Sequence, residues 1–191
     1  MPDLSEFRET LDIINRQLIE RIAYRFAASP EWQELEANQA QPELPKGIKV
    51  DFILRFYEII AAGLRNDRLR TQVGRAERGS RAVRRLLSGT DFPELDGLTD
   101  QRFRMLQYVL NPEDENTRTL LQHRFRLIEE IGEYKKSHAL VLRDPAREQA
   151  LIGEARAFCR NFGVPEIVGA ILYVNLLLPA AFEVEELIAE R

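Results

Sequence analysis

An all-α fold is predicted by three observations on the sequence. Apolar residues recur at steps of three and four over long stretches, most clearly as Phe7, Leu11, Ile14, Leu18, Ile22 and Phe26, a spacing that keeps returning to one face of a helix. Polar segments bearing proline or glycine separate these stretches, notably Asn38 to Lys46 and Thr90 to Asp100. Cap signals stand at the ends of the periodic runs: Asp3 or Ser5 before the first, Asp144-Pro145 before a later one, and Gly163 after it.

The first helix is expected from near Leu4, interrupted or kinked at Ser29-Pro30. A second begins near Gly47 and carries Ile53, Phe56, Ile60 and Leu64 on one face. Between Arg65 and Arg85 lie eight arginines against Asp67 and Glu77. A solvated face offsetting acidic neighbours such as Glu183, Glu185, Glu186 and Glu190 is one reading of that stripe. Polyanion binding is the other, and no aromatics are interleaved there as stacking platforms. From Asp100 a helical pattern runs on through Phe103, Leu106, Leu110, Leu120 and Leu121, with Asn111-Pro112 either kinking one helix or dividing two. A middle helix from Pro145 to about Phe162 carries Ile152, Ala155 and Phe158, and a last one follows Pro165.

Composition narrows the function classes. The chain has 191 residues, 45% hydrophobic and 30% charged, ordinary for one globular domain or two small ones. A formal net charge of −4 argues against a general nucleic-acid binder. The single cysteine, Cys159, excludes an internal disulfide. The run Ile167 to Phe182 is short for a membrane span and reads as a buried helix. With no secretory signal pattern at the N-terminus, a cytoplasmic protein is expected. His123 and His138 have no ligand partners at metal spacing, so no metal is expected.

The most informative stretch runs from His123 to Glu148. As a helix it aligns Arg124, Ile128, Ile131 and Lys135 on one stripe, with the two cations roughly 16 Å apart along the backbone. Two cations bracketing a greasy patch suit a small, partly apolar dianion. Arg124 and Lys135 could equally face solvent and pair with Glu129 or Glu130. Asp144 could be only a cap, and Arg147 and Glu148 only surface charges.

Arg124, the run Ile131-Gly132-Glu133-Tyr134-Lys135, Val141, Asp144-Pro145 and Arg147-Glu148 follow one another in the order and spacing of the all-helical chorismate mutases, and the stretch resembles that family. Residues 7–26 resemble the family's opening helix, with Arg8 and Arg25 at its two arginine positions. The segment beginning at Gly47 resembles its last helix, as does the one beginning at Gly163; aligning the two glycines also aligns Tyr57 with Tyr173. The resemblance thus implies an internal duplication. Residues 1–88 form a degenerate copy without the DPxRE segment, and 89–191 a more complete one. The two are expected to make one intertwined bundle, an internal pseudo-dimer, as a monomer or in a homo-oligomer.

The resemblance also implies roles. Arg124 and Lys135 would bind the carboxylates and ether oxygen of chorismate, Glu148 would contact the ring hydroxyl, and Asp144 and Arg147 would line or brace the pocket. Arg8 would reach across from the first copy. The opposite pocket would hold Arg25, but Glu36 in place of a lysine and Gln107 in place of an arginine, with Arg104 one turn earlier. In the last helix, a gap-free alignment puts Ala180 and Val184 where the family has a small hydroxyl residue and a Gln or Glu. Pro179 is liable to shift that register. Glu183 is therefore expected to supply the missing donor, as a protonated acid, and the catalytic set is Lys135, Arg124 and Glu183. No cofactor is implied, because the rearrangement is intramolecular. The expected partner is a small dianion of the chorismate type, with no nucleic acid and no membrane. A related enzyme acting on isochorismate or an amino-substituted chorismate, and a non-catalytic binding or regulatory descendant, are the alternatives.

Overall fold

The computed structural model describes residues 3–28, 48–74, 110 and 114–190. Every regular element among them is helical: α1 (Leu4–Ala27), α2 (Ile48–Gly63), α3 (Asp67–Gly74), α4 (Glu115–Ser137), α5 (Pro145–Asn161), α6 (Glu166–Leu172), a π turn (Tyr173–Leu177) and α7 (Leu178–Ala189). The all-α expectation holds over this part of the chain. Ser29-Pro30, Trp32, Glu36, the 38–46 loop, the arginines from 75 to 85, the 88/89 boundary, the 90–100 link, Arg104, Gln107 and Asn111-Pro112 lie outside the described residues.

Caps define the helix starts. Of the two candidates for α1, Asp3 is the cap: its Oδ1 accepts from the Ser5 and Glu6 backbone N–H groups at 2.8 and 3.0 Å, while Glu6 accepts from the Asp3 N–H at 2.9 Å. This reciprocal capping box satisfies donors the helix cannot pair internally. Asp114 caps α4 by accepting from Thr117 N–H at 2.8 Å, which sets the helix start at Glu115. Asp144 caps α5 with Pro145 in the first turn. At the other end of α5, Gly163 adopts φ +70°. Val164 N–H there donates to Cys159 O at 2.9 Å and Gly163 N–H to Arg160 O at 3.1 Å, the paired bonds of a Schellman stop.

Helix α4 is the hub, packed against α1, α2 and α7. Its buried face repeats as Leu121, Arg124, Phe125, Ile128, Ile131 and Lys135. Contacts fix the direction of α1 against it. Phe7 meets Tyr134 edge-on, Asn15 bonds Arg124, and Arg21 pairs with Asp114, so the two long helices run antiparallel. The first helix thereby carries its N-terminal residues to the C-terminal end of α4, where α5 begins. The last helix runs along α4 in the same direction, with Leu177 near Arg124 and Ile188 near Gly132 and Lys136.

The α2–α4 contact is a close backbone approach. A Cβ built on Gly63 would lie 2.6 Å from both Cα and O of Gln122, and Arg126 Nε donates to Gly63 O at 3.1 Å. Backbone cannot step aside as a side-chain tip can. Gly63→Ala is expected to destabilise the protein by about 1–3 kcal/mol, read as a lower midpoint in urea unfolding; an unchanged midpoint would show that α2 slides freely on α4.

Candidate functional site

Arg124 is 1% exposed and Lys135 6%, so the solvent-facing alternative for these cations is wrong. The stripe that carries them faces inward because its apolar members are needed in the core. Arg124 Nε donates to Asn15 Oδ1 at 2.9 Å and its Nη1 to Leu177 O at 3.4 Å. The guanidinium carbon also lies 4.9 Å from the Phe125 ring centre. Burial pushes the Arg124 pKa down to about 10, against the opposing pull of Tyr173 and Glu185, so the group stays charged at neutral pH.

Lys135 Nζ donates to Leu142 O and to Glu185 Oε1, the latter at 3.4 Å. Burial raises the Glu185 pKa above the usual carboxylate range. Lys135 and Arg143 oppose that shift, and Glu148 adds to it. The carboxylate facing Lys135 is therefore Glu185. Glu183, expected in that place from the sequence, lies two residues earlier and so roughly 200° around the helix.

The π turn explains the difference. Leu178 N–H donates to Tyr173 O, a five-residue step, immediately before Pro179. Proline has no N–H and its ring crowds the carbonyl four residues back; widening the turn relieves both problems. One extra residue is thereby taken up, and every later side chain moves one position relative to a gap-free count. Val184 gives way to Glu185.

The remaining predicted residues gather at the start of α5. Arg8 Nη2 donates to Asp144 Oδ2 at 3.0 Å, so Arg8 does come to this end of the molecule. Asp144 Oδ1 meanwhile accepts from the Arg147 N–H at 3.1 Å. That backbone bond, opposed by burial and helped by the charges of Arg8 and Lys135, holds the Asp144 carboxyl below its ordinary range. Arg147 pairs with Asp12 and, at 3.5 Å, with Glu154, which ties α5 to α1. Glu148 is buried and accepts from Arg143 Nε and Nη2 at 3.2 and 2.8 Å.

Arg143 escaped the sequence reading. Its guanidinium also lies 3.7 Å over the Phe182 ring, where a planar cation and an aromatic face attract. The only clue in the sequence was its place one residue before the Asp144 cap. Arg25, by contrast, borders a separate open cavity of about 870 Å³ between α1 and the start of α4. A carboxylate, Asp114, stands in that cavity, paired with Arg21 at 3.4 Å.

Residues 138–144 join α4 to α5 over the site. The turn into this loop is a second Schellman stop: Leu140 N–H donates to Lys135 O at 2.8 Å and Ala139 N–H to Lys136 O at 3.2 Å. Here the left-handed position is held by Ala139, at φ +53°, a conformation that costs an L-residue roughly 1–2 kcal/mol. Ala139→Gly is expected to stabilise the protein by about 0.5–1 kcal/mol after glycine's larger entropy loss, measured as a raised urea midpoint. A lowered midpoint would show that the alanine side chain has a packing role.

Among the described residues no cluster of histidine, cysteine and acidic side chains could hold a metal ion, and no helix is long and apolar enough to cross a membrane. Cys159 is buried beside Gly169, and burial pushes its thiol up to about 11, far from a ready nucleophile.

Residues 113–186 match the family model described as chorismate mutase type II. The match spans α4, α5, α6, the π turn and the last helix as far as Glu186, and it leaves out α1, α2 and α3. Over that part the chain is all-helical and is similar to the chorismate mutase type II domain. A search of curated proteins finds no match to the chain, and a search of solved structures finds none.

Proposed function

We propose that the protein is a chorismate mutase-like isomerase that rearranges chorismate to prephenate in one pocket, built from both halves of the chain. Residues 1–88 are taken as a decayed copy that donates α1, and 89–191 as the copy that carries the pocket. The observation that carries the proposal is the facing pair Lys135 and Glu185 beside the buried Arg124.

The reaction is intramolecular: the ether C–O bond breaks as a C–C bond forms, and negative charge gathers on the ether oxygen. No nucleophile is required. A pocket accelerates such a step by holding the compact conformer and meeting the developing charge with fixed donors. Arg124 and Arg8 suit the two carboxylates, since a guanidinium fork matches a carboxylate in shape. Lys135 and Glu185 suit the ether oxygen. Their 3.4 Å separation exceeds the usual charge-assisted bond by about half an ångström, so the contact is loose and the two groups can part around an oxygen that accepts from both. Asp144 and Arg147 brace the wall, and Glu148 is the candidate partner of the ring hydroxyl.

Glu185 donates only when protonated. Its raised pKa keeps the proton on to higher pH than in an ordinary glutamate, so activity is expected to rise as pH falls through that range. Lys135, Arg143, Arg124 and Glu148 are the charged groups that act on it. Glu185→Gln carries a permanent donor. The test is ultraviolet loss of chorismate from pH 5 to 8, with pyruvate assayed in parallel. The expected result is an acid-leaning profile for the wild type, a flat one for Glu185→Gln, an unchanged one for Glu183→Gln, and a loss of at least about 100-fold for Arg124→Ala. A wild-type profile flat over this range would remove Glu185 from the role.

One observation favours a second reading. Arg124 is almost wholly enclosed and Lys135 is tied to the Leu142 carbonyl, so a ligand enters only when the 138–144 loop lifts. A binding or regulatory protein tolerates slow entry better than an enzyme does. Binding of a dicarboxylate analogue without loss of chorismate would select that reading, and release of pyruvate would select a lyase acting on a related substrate.

A further inference from the structure

Asn15 lies on α1, outside the segment that matches the mutase family. It is 4% exposed. Its Oδ1 accepts from Arg124 Nε, which fixes the orientation of the amide: the reversed amide would set two donors against each other. The other end of the amide, Nδ2, is buried with no hydrogen-bond partner among the described residues. A buried, unpaired donor is costly, and native proteins keep few of them without a use. Arg124 adds a second unspent donor. Its Nε and Nη1 have partners, while Nη2 makes no hydrogen bond among the described residues. Because Asn15 is bonded to Arg124 at 2.9 Å, the two unspent N–H groups belong to side chains in direct contact. Two adjacent donors, one of them cationic, match the two oxygens of a carboxylate.

We infer that Asn15 is a substrate-binding residue, reading one carboxylate of the dianion with its Nδ2–H beside Arg124 Nη2 while its Oδ1 aims the guanidinium. The inference rests on the proposed dianion pocket and extends it to a residue that the first half of the chain contributes. It makes Asn15 a determinant of specificity for a dicarboxylate over a monocarboxylate. A ligand without that carboxylate leaves the buried Asn15 donor unpaired.

Asn15→Asp separates the two duties. The aspartate keeps an acceptor for Arg124 Nε, now as an ion pair, and replaces the donor with a negative oxygen facing the ligand. The probes are a bicyclic dicarboxylate transition-state analogue and its monocarboxylate counterpart, titrated calorimetrically into the full chain at neutral pH. The expected result is a dicarboxylate Kd raised about 100-fold, the effect of setting like charges against each other. The dicarboxylate preference of the wild type should collapse, with thermal unfolding at or above the wild-type temperature. If Asn15→Asp does not fold, Asn15→Ala takes its place, with about a tenfold loss for the dicarboxylate and little for the monocarboxylate expected. Wild-type-like dicarboxylate binding by the folded variant would overturn the inference and leave the pocket standing. Failure of the wild type to bind either probe would overturn the pocket itself and the inference with it.

Discussion

The structure depends on the burial of one full positive charge, that of Arg124. Removing a guanidinium from water costs several kcal/mol unless its donors find acceptors. Here the acceptors come from three directions: the Asn15 amide on α1, the Leu177 carbonyl in the π turn, and the field of Glu185 on α7. No single helix could satisfy the group. The charge therefore makes the meeting of α1, α4 and the last helix a condition of the fold, and the place where they meet is also where a dianion would be held. Other polar contacts are less demanding. Arg8 with Asp144 and Arg21 with Asp114 are partly solvated pairs, which set direction and register more than they add stability.

The last helix illustrates how a local constraint decides a chemical one. Pro179 sits in a segment that is buried along almost its whole length, where a missing backbone donor cannot be repaired by water. The chain answers with a π turn, and the price is one residue of register. That single step sets Glu185 opposite Lys135, where a gap-free count would have set Val184, an ionisable side chain in place of an apolar one. Arg143 follows from the same arrangement. Stacked on Phe182 and bonded to Glu148, it links the last helix to the first turn of α5 across the loop.

Much of this was legible in the sequence. The helical faces, the capping role of Asp144 and the stop at Gly163 follow from spacing and from residues with one conformational use. The inward face of Arg124 and Lys135 was signalled by the stripe they share with Ile128 and Ile131, and the resemblance pointed the same way; Glu129 and Glu130 stand five or six residues from them, outside the spacing of helical pairs. Glu185 was not legible as the partner of Lys135. Counting along an ideal helix cannot reveal a π turn, although Pro179 marked where the count was liable to fail. Nor could spacing reveal Asn15 or Arg143. Asn15 meets Arg124 across 109 positions of sequence, a pairing that exists only once α1 and α4 lie antiparallel, and Arg143 takes its meaning from Phe182.

In the proposed arrangement the two halves of one chain share a single dianion pocket, with α1 supplying Arg8 and Asn15 and the second half the rest. The most direct measurement is the stoichiometry of a bicyclic dicarboxylate analogue titrated calorimetrically into the purified protein, alone and as Arg8→Ala. One site per chain, weakened by a substitution more than a hundred residues from Lys135 in the sequence, is the predicted result. Two equivalent sites per chain, or one site indifferent to Arg8, would contradict it.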